Sequence, residues 1–398
     1  MKKVRFGLIG LGNIGSHHFS YLPELENAEL TAICDVDKSK LTDLKPPQDF
    51  DHDTAAADFD VSNIAKFTDY RAMLDSGKVD AIIIAVPHYF HPEMAKEAFR
   101  RGIHVICEKP VAITSREARE MNAAHADSDV VFGAMFQQRT DPVHLKVKEM
   151  LEDGTLGNIR RVNWIITSWF RTQTYYDSGG WRGNWTGEGG GVLMNQCPHN
   201  LDLFQWFFGL PKKLSALVYL GKWHDITVDD DVSVIMELEN GATASFITTT
   251  ADSPGTNRLE IAADHGKLVL EGGKITFFRT EQPVQKILDE SDKGFYSSRP
   301  EVIEVPVEAK EYGHRFITQN VVNTILGKEQ LLAPGTEGIK SVQLANAILL
   351  SGVRGKPVEF PVCEDEFDQL LEELRTHERQ HAPDKVFDWE AYLSSFED

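Results

Sequence analysis

The chain is 398 residues long, 41% hydrophobic and 26% charged, the make-up of a globular protein with two or three domains and a core that needs no staples. Its 61 acidic and 41 basic side chains leave a formal charge of −20, which argues against nucleic acid and membranes as partners because both demand a basic footprint. Four scattered cysteines, Cys34, Cys107, Cys197 and Cys363, form neither a disulfide framework nor a zinc pattern, so a soluble protein of a reducing, cytoplasmic setting is expected.

The apolar stretch 6–14 after Lys2 and Lys3 has a signal-like start, but glycines at 7, 10, 12 and 15 break it. It reads instead as a buried strand, 4–9, entering a tight turn, with a helix from about 13 until Pro23 closes it. Further strands are expected at 29–34, 81–86, 104–107 and 130–135. The run Ala-Ile-Ile-Ile-Ala-Val at 81–86 is apolar throughout, as in a sheet covered on both faces. Between them Pro92 opens a helix that Gly102 stops, and Thr114 with Glu117 forms a capping box for another. This rhythm predicts an α/β Rossmann domain, a doubly wound parallel sheet over residues 1–140. The Pro-, Asp- and Ala-rich stretch between Lys45 and Lys66 reads as a surface insertion.

After residue 141 the pattern changes. Strands at 160–170, 214–220, 232–238, 242–249, 258–263, 267–271 and 274–278 are joined by short turns such as Glu239-Asn240-Gly241, the spacing of hairpins. Helices at about 141–152, 192–208, 311–326 and 337–350 are expected to cover one face. The second unit, 141–362, is thus an α+β domain with a large open-faced, mostly antiparallel sheet. The last 36 residues, 363–398, hold 12 acidic and 3 basic side chains; they read as an acidic extension with a helix at 364–379, packed on the surface or on a second subunit.

Gly10-Leu11-Gly12-Asn13-Ile14-Gly15 is a G-x-G-x-x-G that follows a strand and opens a helix, and Asp35 lies 20 residues past Gly15. Together they make the dinucleotide fingerprint. Glycine lets the backbone approach a pyrophosphate, and the helix start offers free N–H groups to its charge. Asp35 would accept from the ribose hydroxyls and repel a 2′-phosphate, favouring NAD over NADP. The alternative is a glycine turn with a surface aspartate. Lys109 sits just past the end of a parallel strand, where open α/β sheets bind their ligands. A lysine whose pKa is lowered by burial can accept the proton of an alcohol while hydride leaves the same carbon.

Gly10 to Gly15, Ala85-Val86-Pro87-His88 with His91, Glu108-Lys109-Pro110, and Gly189-Gly190-Gly191 leading into Asn195, His199 and Asp202 together resemble the Gfo/Idh/MocA oxidoreductases. The resemblance runs from residue 1 to about 360. It implies a Rossmann domain joined to an open-faced sheet domain, nicotinamide and substrate in the cleft between them, and redox chemistry at a carbon of a sugar, polyol or related ring. It also implies subunits paired through the open sheet, hence a homodimer or homotetramer. His91 would line the nicotinamide pocket, with Pro87, His88, Glu108 and Gln137 near the cofactor; the alternative for Gln137 and Arg139 is to bridge the two domains. The family usually has aspartate at the position of Asn195. Asparagine orients but holds no charge, so Lys109 and His199 are expected to share proton transfer. His199, four residues after Asn195, is expected on the same helical face, with Asp202 buttressing it or capping nearby backbone.

His88 and His91 could start a metal pair, but no third ligand is legible and no metal is expected. Residues 164–185 hold Trp164, Trp169, Phe170, Tyr175, Tyr176, Trp181 and Trp185 among arginines and glycines. Aromatic faces with polar neighbours suit sugar rings, so Tyr176, Trp181 and Arg182 join Lys109, Asn195 and His199 as substrate contacts; packing in the sheet is the alternative. The sequence therefore reads as an NAD-dependent sugar, glycoside or polyol dehydrogenase. Its rivals are redox-assisted glycoside cleavage on the same site, by C3 oxidation, elimination, hydration and re-reduction, and a non-catalytic NAD-binding protein.

Overall fold

The computed structural model describes residues 3–43 and 62–396; most of the expected insertion, 45–61, lies outside them. Six parallel strands form the first sheet: β1 (Val4–Ile9), β2 (Ala28–Cys34), β3 (Ala65–Phe67), β4 (Ala81–Ile84), β5 (His104–Cys107) and β6 (Phe132–Ala134). They run in the order β3-β2-β1-β4-β5-β6. All four residues of β4 are fully buried, because helices cover both faces of the sheet and leave no side for a polar residue. The order reverses between β1 and β4, which opens a crevice at their carboxyl ends. Three neighbouring strands, β1, β4 and β5, deliver the glycine turn, Pro87-His88 and Glu108-Lys109 to that crevice.

The second sheet has nine strands: β7 (Ile159–Ile166), β8 (Pro211–Leu220), β9 (Asp229–Leu238), β10 (Thr243–Thr249), β11 (Asn257–Ala263), β12 (Gly266–Glu271), β13 (Lys274–Arg279), β14 (Glu301–Val305) and β15 (Val358–Glu359). Their order is β14-β13-β12-β11-β7-β10-β9-β8-β15, antiparallel except for the parallel pair β7–β10. On one face Trp164, Val234 and Phe246 pack into a core with Phe204 of helix Pro198–Phe208 and Ile348 of helix Gly338–Arg354. On strands β8 and β9, Leu217 and Ile235 stay 62% and 61% exposed.

Helix His314–Ile325 departs from expectation. Its place in sequence predicts packing on the second sheet, yet Ile317, Val321 and Val322 pack into the core of the first, and Ala134 of β6 donates to the Ala333 carbonyl at 3.0 Å. An apolar stripe shows that a helix packs, not on which sheet. The chain thus returns to the Rossmann side before helix Gly338–Arg354, which contributes Val342 to the first core and Leu344 to the second.

The acidic extension packs on the surface of this chain, one of the two placements expected, and straps across it. Helix Glu364–His381 pairs Glu364, Asp365 and Asp368 with Arg119 and Arg116 of the Rossmann side. Its Glu378, 1% exposed, accepts from the backbone of Trp185 at 2.7 Å and Thr186 at 2.9 Å, and from the Thr227 hydroxyl. Beyond it, Trp389 meets Phe90 edge-on and Phe387 lies against Gly180. Among the described residues, no helix is long and apolar enough to cross a membrane.

Candidate active site

The glycine turn has the shape of a dinucleotide cradle. Gly10 has φ +91°, and a Cβ there would lie 2.3 Å from the Ala85 carbonyl oxygen. A Cβ on Gly15 would fall 2.0 Å from the Gly10 oxygen, so helix Asn13–Tyr21 can approach β1 only through glycine. Gly12 differs: a Cβ there would meet nothing within 4 Å. It faces open space at the helix start, where a pyrophosphate would need the room. Asn13 is exposed beside it and Ile14 half-buried. Asp35, 7% exposed, accepts from Leu11 N at 2.7 Å and Asp37 N at 2.9 Å, with Lys40 3.5 Å away. Its carboxylate is therefore fixed against the glycine turn, as a ribose ligand requires.

Lys109 crosses the cleft. Its Nζ donates to the Asn195 carbonyl at 2.6 Å, joining the end of β5 to the segment after the triple glycine. Enough protein surrounds the amine for burial to draw its pKa down; Arg182 and Arg171 act the same way, while Glu108 and Glu188 oppose them. Glu108 anchors this loop from behind, accepting from Lys109 N at 3.1 Å and pairing with His18 at 2.7 Å. Burial works to raise its pKa, but the His18 bond and the nearby positive charges outweigh that and bring it to about 2.

The segment carrying Asn195 is pinned by Asp229 at the start of β9. Its carboxylate, wholly buried, accepts from Gly191 N at 2.7 Å and Leu193 N at 2.9 Å. Gly191 lies so close that a Cβ would sit 1.9 Å from the Asp229 carbonyl oxygen. Asn195 and His199 do not share a helix face, contrary to expectation. Residues 192–196 form turns and the helix begins at Pro198; a proline belongs at a first helical position, and that signal outranks the apolar period. They meet the cleft from consecutive segments instead.

His199 Nε2 lies 3.2 Å from the Gln137 amide nitrogen, an arrangement that leaves the imidazole proton on Nδ1. Burial, then Lys109, pushes its pKa down to about 3. Nδ1 of His199, Oε1 of Gln137 and Oε1 of Gln196 are buried and find no partner among the described residues. Asp202 does not buttress His199 either. It forms a two-pronged pair with Arg139 at 2.8 and 2.7 Å, and Arg139 also reaches Glu337 at 2.7 Å. Arg139, 1% exposed, therefore bridges the two halves of the chain.

The aromatic loop is divided differently from its reading in sequence. Tyr176 is 4% exposed and hydrogen-bonds Thr250 at 3.0 Å, so its ring packs rather than facing the cleft. Tyr175 takes that place: its hydroxyl receives Arg182 at 2.7 Å, Asn195 at 3.2 Å and Gln196 at 3.3 Å. The Arg182 guanidinium lies over the Tyr175 and Trp181 rings, 4.6 and 4.5 Å from their centres. Trp181 in turn meets His88 edge-on. Pro87 is half-buried at the head of that loop. His88 reaches across to the Glu188 carbonyl at 3.2 Å. His91 is wholly buried with its nitrogens against the carbonyls of Pro110 and Val86, at 2.8 and 2.7 Å; it clasps two loops and presents no free nitrogen to the crevice. Among the described residues no group of three or more His, Cys, Asp or Glu is placed to hold a metal ion.

Glu188 was not singled out in sequence. Its side chain is 1% exposed, bonded to the Asn195 amide and to Gly183 N at 2.7 Å. A carboxylate inside the glycine run 187–191 was the available signal, since glycines leave little to solvate it.

Comparison with known proteins follows the same division of the chain. A family model described as "Oxidoreductase family, NAD-binding Rossmann fold" matches residues 4–136, and a "GFO/IDH/MocA C-terminal domain" matches 144–269. D-glucoside 3-dehydrogenase of Escherichia coli (strain K12) is 25% identical over 90% of this chain and 97% of its own. Myo-inositol 2-dehydrogenase of Thermotoga maritima is 24% identical over 69% and 77%. The crystal structure of the WlbA dehydrogenase from Bordetella pertussis in complex with NADH and UDP-GlcNAcA superposes with a TM-score of 0.74, at 27% identity, over 91% of this chain and 99% of that one.

Proposed function

The chain belongs to the GFO/IDH/MocA oxidoreductase family, and on that premise we propose that it is an NAD-dependent dehydrogenase acting on a hydroxyl of a sugar, glycoside or cyclic polyol. The observation that carries the reading is the Lys109 amine, held 2.6 Å from the Asn195 carbonyl just past the end of a central parallel strand, two strands from the glycine turn that Asp35 braces. Relatives named for glucoside and inositol oxidation support that substrate class.

Gly10, Gly12, Asn13 and Ile14 hold the dinucleotide, and Asp35 takes the adenosine ribose, which favours NAD over NADP. When bound, NAD supplies the hydride acceptor. Lys109, its affinity for protons lowered by burial, accepts the hydroxyl proton as the carbon is oxidised. His199 narrows to one role: with Nε2 committed to Gln137 and a pKa of about 3, it stays neutral and shapes the site beside Lys109 rather than exchanging protons. Asn195 orients Lys109 through its carbonyl, and Arg182 with Trp181 lines the outer cleft.

The test incubates the protein with NAD and a panel of glycosides, aldoses and inositols while following NADH absorbance. NADH should form with at least one of them, and Lys109→Met should lower the rate by about 10²–10⁴-fold while leaving NAD binding intact. A Lys109→Met protein as active as the parent defeats the reading; glycoside cleavage without net NADH would replace it with redox-assisted hydrolysis. A homodimer or homotetramer through the face bearing Leu217 and Ile235 belongs to the same proposal, and light scattering tests it.

A further inference from the structure

Lys109 has two carboxylates acting on it, Glu108 and Glu188. Glu108 is committed to His18 on the far side of its loop. Glu188 is not: it stands on the substrate side, one residue before the triple glycine, with its side chain bonded to Asn195. We propose that Glu188 is a positioning residue of the proton-transfer site, which fixes Asn195, the residue whose carbonyl receives the Lys109 ammonium, and stabilises that ammonium with its negative charge. The inference rests on the dehydrogenase reading and adds to it a carboxylate that touches neither cofactor nor substrate.

The geometry is specific. One Glu188 oxygen accepts from Gly183 N at 2.7 Å; the other receives the Asn195 amide and lies 4.0 Å from the Arg182 guanidinium. The same Asn195 amide also reaches the Tyr175 hydroxyl, which Arg182 donates to. Arg182, Tyr175, Asn195 and Glu188 thus close a ring of contacts, and through the Asn195 carbonyl that ring meets Lys109. The charged and titratable groups facing Glu188 are Arg182, Lys109, Asp229, Tyr175, Tyr176 and His88, the last through the Glu188 carbonyl. Burial dominates and pushes the carboxyl up to about 7, with Arg182, Gly183 N–H and Asn195 working against it. The sign follows. Above neutrality the carboxylate is charged and favours protonated Lys109. As pH falls through 7 it takes up a proton, and Lys109 loses a charge that had been raising its own affinity for protons.

Glu188→Gln keeps the shape and removes the charge. In kcat against pH for substrate oxidation, the acidic limb should move about one pH unit lower above neutrality, where the parent carboxyl is charged, about tenfold in relative rate there. The two profiles should converge below neutrality, where the parent carboxyl is itself protonated. Glu188→Asp, which keeps the charge, should return the limb toward its original position. NAD affinity, set by the Rossmann turn, should be unchanged in both. A limb unmoved in Glu188→Gln overturns the inference while leaving the dehydrogenase reading standing, whereas a parent enzyme that oxidises no sugar or polyol defeats both. Should Glu188→Gln not fold, infrared titration of the NAD-bound enzyme reads the carboxyl directly. A carboxylate band present above neutrality and shifted in Glu188→Asp is expected, and a carboxyl that stays protonated well above neutrality, with no charge to offer Lys109, overturns the inference.

Discussion

The pair Arg139–Asp202 offers the sharpest test of how the two halves are joined. Both side chains are 1% exposed, and two hydrogen bonds of 2.8 and 2.7 Å link them. Asp202→Ala would strand the guanidinium with Glu337, which is 32% exposed and so better screened by solvent. Removing one partner of a buried pair costs about 3–5 kcal/mol, and the surviving Glu337 bond places this case at the lower end. The loss reaches the site as well. Arg139 and Gln137 share one turn, Gln137–Thr140, and Asp202 and His199 share one helix, so the ion pair sets the Gln137–His199 contact. Asp202→Ala should therefore lower kcat more than it raises KM. Asp202→Leu combined with Arg139→Met, which removes both charges and fills the space, should recover most of the stability but not the rate. Urea unfolding followed by fluorescence and by circular dichroism measures the first quantity, provided the two transitions coincide. A single variant costing under about 1 kcal/mol, or a double variant as unstable as the single, would falsify the reasoning.

Gly12→Ala should leave the melting temperature almost unchanged, because its Cβ points into open space, yet weaken NAD by about tenfold or more, or about 1.4 kcal/mol; Gly15→Ala, 2.0 Å from a carbonyl oxygen, should fold poorly, and equal behaviour of the two variants in calorimetry would contradict the cradle. His88, His199 and His314 all have pKa values pushed below 6.5, chiefly by burial. The unfolded chain then binds more protons than the native one as pH falls below about 6.5. Stability present at pH 7 should be lost on acidification at up to about 1.4 kcal/mol per pH unit for each, opposed by Glu188, whose pKa is raised to about 7; urea midpoints flat from pH 7 to pH 5 would refute this. Asp35→Ala should raise the NADP-to-NAD ratio of kcat/KM by about tenfold, read in parallel assays, and no change would remove Asp35 from cofactor choice.

Local signals carried much of the fold. Strands 4–9 and 104–107 have the expected bounds, and both hydrogen bonds of the Thr114–Glu117 capping box are present, since each depends on neighbouring residues alone. Strands β3, β14 and β15 escaped notice. β3 and β15 are three and two residues long, and β14 is a largely exposed edge, so none leaves a strong apolar pattern. What failed in the site were choices between neighbours or partners: Tyr176 for Tyr175, His199 for Arg139 as the partner of Asp202, a shared helix for Asn195 and His199. Period and composition place a residue near a cleft, but which side chain turns inward is settled by tertiary contacts far along the chain, such as the Asp229 carboxylate on Gly191. Glu188 and Glu378 show the same limit, because acidic residues read as surface until their donors are known.

The C-terminal strap has a consequence for how the crevice can open. Glu378 grips Trp185 and Thr186, on the loop that ends in Glu188, while Arg375 of the same helix donates to the Tyr89 hydroxyl at 2.9 Å, just past Pro87-His88 on the nucleotide side. One helix therefore holds both lips of the entrance. Movement of either lip drags the other, so access for a bulky sugar depends on residues far downstream of every motif that identified the site. A chain cut after residue 363 would leave the Trp185 and Thr186 amides buried without their acceptor and the entrance unguarded, and would strip Arg116 and Arg119 of their carboxylate partners on the Rossmann side.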